Sequence, residues 1–81
     1  MDKQTKRVHS YMQEHYGITA KQAMDDLGIF RLGARIYDLK QMGVPVKSGW
    51  ITVKNRFDEE TRVKIYWLEG YPYKYAKEVR K

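Results

Sequence analysis

The sequence predicts an α+β domain in which three helices precede a β-hairpin. Up to Gly43, apolar residues recur at the three- and four-residue spacing of amphipathic helices. From Val44 onward the chain is rich in β-branched and aromatic residues, in two runs separated by the polar stretch FDEET. The chain has 81 residues, a length that accommodates one small domain.

The first helix is expected at residues 3–16. Val8 begins an apolar pattern of i, i+3, i+4 and i+8 that ends at Tyr16. Asp2 is a suitable N-cap, and Gly17 stands where a left-handed residue commonly ends a helix. Ile18 follows as a single apolar residue, which is enough for a short strand or bridge.

The second helix begins with a capping box. Thr19 and Gln22 have the spacing at which the hydroxyl accepts from the N3 amide and the N3 side chain bonds back to the N-cap amide. Gly28 ends this helix. Its predicted buried stripe consists of Ala20, Ala23, Met24 and Leu27.

The third helix is expected within GIFRLGARIYDLKQMG, residues 28–43. Leu32, Ile36 and Leu39 fall at i, i+4 and i+7, so they should face the core. Because the turn before this helix is very short and contains glycine, the second and third helices form a helix-turn-helix.

The hairpin register is predicted by sorting side chains onto two faces. Pairing Arg56 with Arg62 places Lys54 opposite Lys64, which separates an apolar ladder from a face that is basic toward its tip. Like charges directly opposed across strands are unfavourable, so this register indicates that the cations gain from a contact elsewhere. Protection of the sheet edge by charge is the alternative. The acidic tip, residues 58–60, would point away from a polyanion.

The order helix, short strand, helix, helix, hairpin is that of a winged helix-turn-helix. We expect this domain at residues 1–68, followed at 69–81 by a tail rich in tyrosine and lysine.

The charge balance favours an anionic partner. The chain has 16 basic and 10 acidic residues, a formal net charge of +6 and a pI near 9.6. No apolar run approaches the ~18 residues that span a bilayer, and the N-terminus lacks the apolar centre of a signal peptide. We therefore expect a cytoplasmic protein that has no membrane partner.

The residue pattern supports neither catalysis nor metal binding. Cysteine is absent, which excludes disulfides, thiolate metal sites and a cysteine nucleophile. His9 and His15 are six residues apart and cannot share a metal on one helix. Since no paired acid and base, activated nucleophile or glycine-rich phosphate loop is present, we expect neither an enzyme nor a cofactor.

The runs ITAKQAMDDLGIFRLGARIYDLKQMGVPV, WITVKNRF and VKIYWL resemble the small winged helix-turn-helix proteins encoded by bacteriophages and prophages. The resemblance covers roughly residues 4–68. It implies DNA binding, usually for regulation, in the cytoplasm of a bacterial host. Commoner winged-helix repressors have several residues between the turn glycine and the first core residue of the recognition helix. Here only Ile29, Phe30 and Arg31 precede Leu32. The contact rules of those repressors therefore do not transfer directly.

The candidate DNA-contacting residues lie on the second helix, the third helix and the hairpin. The third helix would enter the major groove and the hairpin flanks would hold phosphates. Arg31 and Arg35 suit guanine or phosphate, and the small Gly33 and Ala34 would let the backbone approach a groove closely. The full set is Lys21, Arg31, Gly33, Ala34, Arg35, Tyr37, Lys40, Gln41, Lys54, Asn55, Arg56, Arg62 and Lys64.

Several alternatives remain open at this level. Surface ion pairs, Arg35 with Asp38 or Arg31 with Asp26, would account for the arginines without DNA. A DNA-binding chain could act as a homodimer or as tandem monomers. A protein-interaction module could instead use the hairpin face and the alternating tyrosines, which are Tyr71, Tyr73 and Tyr75. RNA binding is less favoured because the aromatic residues do not form an exposed stacking platform.

Overall fold

The computed structural model describes residues 2–71, which form three helices and one antiparallel sheet. The elements are α1 (Lys3–His15), β1 (Ile18–Thr19), α2 (Ala20–Leu27), α3 (Leu32–Gln41), β2 (Val46–Lys54) and β3 (Glu60–Leu68). The strand order is β1-β3-β2, so the short β1 lies beside the hairpin. This is the predicted α+β winged helix-turn-helix architecture.

Both ends of α1 are defined by specific residues. The Asp2 side chain accepts a hydrogen bond from the Thr5 amide at 2.8 Å, as predicted for an N-cap, and this bond lowers the pKa of Asp2. The prediction that Gly17 is the left-handed residue is wrong. Tyr16 takes that conformation with a φ of 60° and donates its N–H to the Met12 carbonyl. The helix thus ends one residue early, and buried Gly17 leads into β1.

The N-terminus of α2 is the predicted capping box. The Gln22 amide donates to the Thr19 hydroxyl at 3.2 Å, and the Thr19 amide donates to the Gln22 side chain at 3.0 Å. Gly28 ends the helix with a φ of 67°, a conformation that favours glycine.

The predicted buried stripe of α2 is only partly correct. Ala23 is buried and Leu27 is half-buried, whereas Ala20 and Met24 are exposed. Because α2 has only eight residues, it buries a narrow side, and the turn after it supplies the missing apolar contact. Ile29 is 2% exposed and donates its N–H to the Ala23 carbonyl at 2.9 Å.

The start of α3 also differs from the prediction of one helix across residues 28–43. The left-handed Gly28 and the inward turn at Ile29 delay the helix until Leu32. The expected inward residues are confirmed, since Leu32, Ile36 and Leu39 are all buried.

The main core lies where the three helices meet the base of the sheet. Its buried members include Val8 and Met12 of α1, Ile18 of β1 and Leu68 of β3. A second, smaller cluster of Ile51 and Ile65 lies further along the hairpin. The hairpin therefore extends beyond the helices with an apolar cluster of its own.

A buried tyrosine joins α1 to α2. The Tyr11 hydroxyl donates to an Asp26 carboxylate oxygen at 2.6 Å. Burial, together with this hydrogen bond, raises the pKa of Tyr11 to about 12. The bond holds the helix-turn-helix against α1.

The hairpin register differs from the prediction by four residues. Lys54 lies opposite Glu60 and not Lys64, Trp50 lies opposite Lys64, and Val46 lies opposite Leu68. Because the shift is even, every side chain within β2 and β3 stays on its predicted face.

The turn explains the shift. The Asn55 side chain accepts from the amides of Phe57 at 2.9 Å and Glu59 at 3.1 Å, and Asp58 is left-handed with a φ of 61°. The hairpin thus turns around Phe57, and Arg56 lies in the turn and not in a ladder pair.

We expect Ile29 to contribute to stability and its neighbour Phe30 to contribute little. Ile29→Val should lower the free energy of unfolding by about 0.5–1.5 kcal/mol, because it removes a buried methylene. Phe30→Ala should change it by less than about 0.5 kcal/mol, because Phe30 is 79% exposed. Urea denaturation of both variants measures this difference. A larger loss in Phe30→Ala would contradict the described turn.

Candidate nucleic-acid interface

One side of α3 is exposed along its whole length. Gly33, Tyr37, Lys40 and Gln41 are all exposed, and we call these four residues the α3 stripe. At about 100° per residue they lie within about 100° of one another around the helix axis. The neighbouring Ala34 is half-buried at the edge of this stripe.

Arg35 lies on a different side of α3. It is two residues from Gly33, which turns it by about 200° around the axis. Its Nη1 donates to the Gln4 side chain of α1 at 3.0 Å. Its Nε lies 3.2 Å from an Asp38 carboxylate oxygen in an ion pair without hydrogen-bond alignment. The ion-pair alternative is therefore observed for Arg35, which faces α1.

Arg31 does not share this side with Arg35. It precedes the helix as the N-cap of α3, with an exposed side chain. Within residues 2–71, no carboxylate lies within ion-pair distance of it, so the alternative pair with Asp26 is not formed. Asp26 instead accepts from Tyr11.

Arg31 borders an open concavity of about 750 Å³ between the N-terminal ends of α2 and α3 and the hairpin. We call this concavity the cleft. Gly33 belongs to both the cleft and the α3 stripe, so the two surfaces are continuous. The apolar lining of the cleft consists mainly of Phe30, Leu32, Ile51, Val53 and Val63. The cations that line it are Lys21, Arg31, Lys54 and Lys64.

The cations of the cleft differ in their local partners. Lys21 is paired with Asp25 one turn along α2, and Lys54 lies 3.2 Å from an Asp58 carboxylate oxygen. Lys64 instead lies near two aromatic rings, 5.9 Å from the centre of Trp50 and 5.6 Å from that of Tyr66. Such cation–π contacts stabilise by about 0.5–1 kcal/mol at exposed sites.

The hairpin cations do not oppose one another. Thr52 lies opposite Arg62, Trp50 opposite Lys64 and Glu60 opposite Lys54. The prediction that like-charged residues lie opposite each other is therefore wrong. The four-residue shift places a neutral, aromatic or acidic residue opposite each of these strand cations. The case for nucleic-acid contact by Arg56, Arg62 and the two lysines rests on their exposure.

Asn55 has a structural role that the sequence prediction missed. The sequence predicts it at the tip beside the cations, whereas its side-chain oxygen accepts the two amide hydrogen bonds that form the turn. An asparagine that precedes a polar turn is a recognisable signal for this arrangement.

A sequence model described as a winged helix-turn-helix domain matches residues 3–70. The chain belongs to this family. No curated protein and no solved structure matched the chain in the corresponding searches. A winged helix-turn-helix domain indicates DNA binding in general, and such domains are typically non-enzymatic.

Phe30 is the surface residue that sequence reasoning overlooked in this winged helix-turn-helix domain. It is 79% exposed, and it lines the cleft directly before Arg31. The signal was present, since Ile29 and Phe30 are adjacent apolar residues in a tight turn and only one of them can enter the core.

The described part of the tail begins beside the base of the hairpin. The Glu69 amide donates to the Pro45 carbonyl, and the exposed Tyr71 hydroxyl lies 3.5 Å from the Gln13 side-chain nitrogen. Tyr73 and Tyr75 lie outside the described residues.

Within residues 2–71, no helix is long and apolar enough to cross a membrane. In the same range, no group of three or more His, Asp and Glu side chains could hold a metal ion.

Proposed function

We propose that this winged helix-turn-helix domain binds double-stranded DNA as a phage or prophage transcriptional regulator or architectural factor. The α3 stripe enters the major groove, and the exposed hairpin cations contact the backbone beside it. Lys21 at the start of α2 adds a phosphate contact. The observation that carries this proposal is the continuous surface formed by the α3 stripe, Arg31 and the cations of the cleft.

Gly33 supports the proposal independently of charge. Glycine at a position with helical backbone costs about 0.5–1 kcal/mol relative to alanine, largely because the unfolded chain loses more conformational freedom. At Gly33 no packing requirement accounts for this cost, because an added Cβ would meet nothing within 4 Å and the backbone is helical. A residue without a side chain lets the start of α3 approach a base edge or a phosphate closely.

Arg35 is better assigned a positioning role than a base contact. Its bonds to Gln4 and Asp38 join α3 to α1. We therefore assign the groove contact to Arg31, together with Lys40 and Gln41 of the α3 stripe.

Gly33→Ala separates folding from binding. The variant should raise the free energy of unfolding by about 0.5–1 kcal/mol, because alanine favours the helix. It should weaken DNA binding about tenfold, since the methyl group holds α3 away from the groove. Thermal denaturation and fluorescence anisotropy measure the two effects. An unchanged affinity in a stabilised variant would remove α3 from the interface.

Selection from random duplex DNA, followed by a salt titration, tests the proposal as a whole. We expect an enriched motif. A palindromic motif would indicate a homodimer, whereas a motif without two-fold symmetry would indicate monomers bound in tandem. Neutralisation of about six phosphates gives a slope of log K against log salt near −5.

Two arginine variants give a matched control for this test. Arg31→Ala should cost about 1–3 kcal/mol of binding on the selected site. Arg7→Ala makes the same charge change on α1, outside the cleft and the α3 stripe, and should cost much less. Equal losses, or no binding to mixed duplex DNA at low salt, would contradict the proposal.

A second candidate is a protein-interaction module that binds a phage or host protein through the hairpin face and the tyrosine-rich tail. The 41% exposure of Trp50 and the 38% exposure of Tyr71 favour it. Capture of a partner that survives nuclease treatment, without any shift of DNA in a gel, would support this function over DNA binding.

A further inference from the structure

The sheet has a gap beside its central strand. β1 pairs only with Ile65 and Tyr66 of β3, and after Thr19 the chain turns into α2. Residues 60–64 of β3 pair with β2 on one side, and among residues 2–71 no strand covers their other side. Alternate peptide groups along this edge are therefore open to another chain.

The cleft reaches this open edge at Val63 and Lys64 and extends over the adjoining face of the hairpin. Val63 and Lys64 of β3 line it on one side, and Thr19 and Ala20 line it across the gap. Its volume of about 750 Å³ lies within the range of binding sites in proteins. A small molecule could fill the apolar lining, but only an extended chain can also supply a row of hydrogen bonds to the strand edge.

The charges around the cleft favour an acidic occupant. Lys21 is balanced by Asp25 and Lys54 by Asp58, while Asp26 accepts from Tyr11. Within the described range, Arg31 and Lys64 have no carboxylate within ion-pair distance. The hydrogen bond from Tyr11 does not cancel the charge of Asp26, but the two cations without a carboxylate outnumber it, so the cleft keeps a net positive charge beside an apolar surface.

The chain's own C-terminal residues have the wrong charge for this cleft. Residues 72–81 contain Lys74, Lys77, Arg80 and Lys81 against one carboxylate, Glu78. Duplex DNA has the right charge, but its phosphate backbone offers neither peptide groups to pair with the strand edge nor apolar side chains to match Phe30 and Val63. A peptide with both acidic and apolar residues matches both properties.

We propose that the cleft binds an extended segment of a partner protein in which apolar and acidic residues alternate. The segment adds as a strand to residues 60–64 of β3, with its apolar side chains against Phe30 and Val63 and its carboxylates near Arg31 and Lys64. Arg31 and Lys64 also belong to the DNA-contacting set, so peptide and duplex exclude each other. This corollary alone rests on the proposed function.

Selection of a displayed random nonapeptide library on the full chain tests this inference without DNA. We expect enriched sequences in which Asp or Glu alternates with Val, Ile, Leu or Phe. The same peptide synthesised with N-methyl groups at alternate positions on its pairing edge should bind at least tenfold more weakly. Failure to enrich such sequences, or equal binding of the methylated peptide, would overturn the proposal.

Two exposed phenylalanines provide a matched pair of variants. Phe30→Ser should weaken binding of the selected peptide at least tenfold. Phe57→Ser, which changes a 74% exposed phenylalanine at the hairpin turn outside the cleft, should leave it unchanged. Circular dichroism establishes that both variants are folded. Equal effects of the two substitutions would place the peptide elsewhere.

Amide hydrogen exchange identifies the strand edge directly. In the absence of peptide, alternate amides of residues 60–64 should exchange rapidly, and a saturating amount of the selected peptide should slow them at least tenfold. If these amides are all protected before peptide is added, the edge is already covered and the proposal fails. DNA binding can fail or succeed without changing any of these results.

Discussion

Burial of one side of α3 is the constraint on which the rest of this structure depends. Leu32, Ile36 and Leu39 are each at most 3% exposed, and burying such side chains stabilises by about 1.5–3 kcal/mol each. The partly exposed ion pair between Arg35 and Asp38 is worth about 0–1 kcal/mol. Apolar packing therefore fixes the rotation of α3, and the polar contacts follow it.

That rotation determines which polar side chains face outward. It exposes the α3 stripe and directs Arg35 toward α1, where Gln4 and Asp38 bind it. Thr5, which is fully buried, lies with its hydroxyl 3.4 Å from the Asp38 carboxylate. The charged residues of α3 thus divide into Arg35 and Asp38, which pair with each other at the contact with α1, and Lys40, which is exposed.

Periodicity and capping chemistry in the sequence were sufficient to predict the architecture and the inward side of α3. The capping box at Thr19 and the faces of the hairpin were also predictable, because local chemistry and the two-residue period of strands determine them. The hairpin register was not predictable, because any shift by an even number of residues keeps the same side chains on each face. The hydrogen bonds of the Asn55 side chain determine where the turn lies and therefore which register forms. The different surroundings of Arg31 and Arg35 were not predictable either, because they depend on how α1 and the hairpin pack beside α3: Arg35 bonds Gln4 of α1, and Arg31 lines the cleft.

The same geometry brings two exposed surfaces together at the start of α3, the α3 stripe and the cleft, with Gly33 common to both. The account is tested most directly by amide chemical shifts of the full chain during titration with a short mixed-sequence duplex at low salt. It predicts that the largest shifts occur at Gly33, Tyr37, Lys40 and Gln41, while the Arg35 Nε–H and the Gln4 side-chain amide signals stay in place. Largest shifts at α1 and at the Arg35 Nε–H would contradict it.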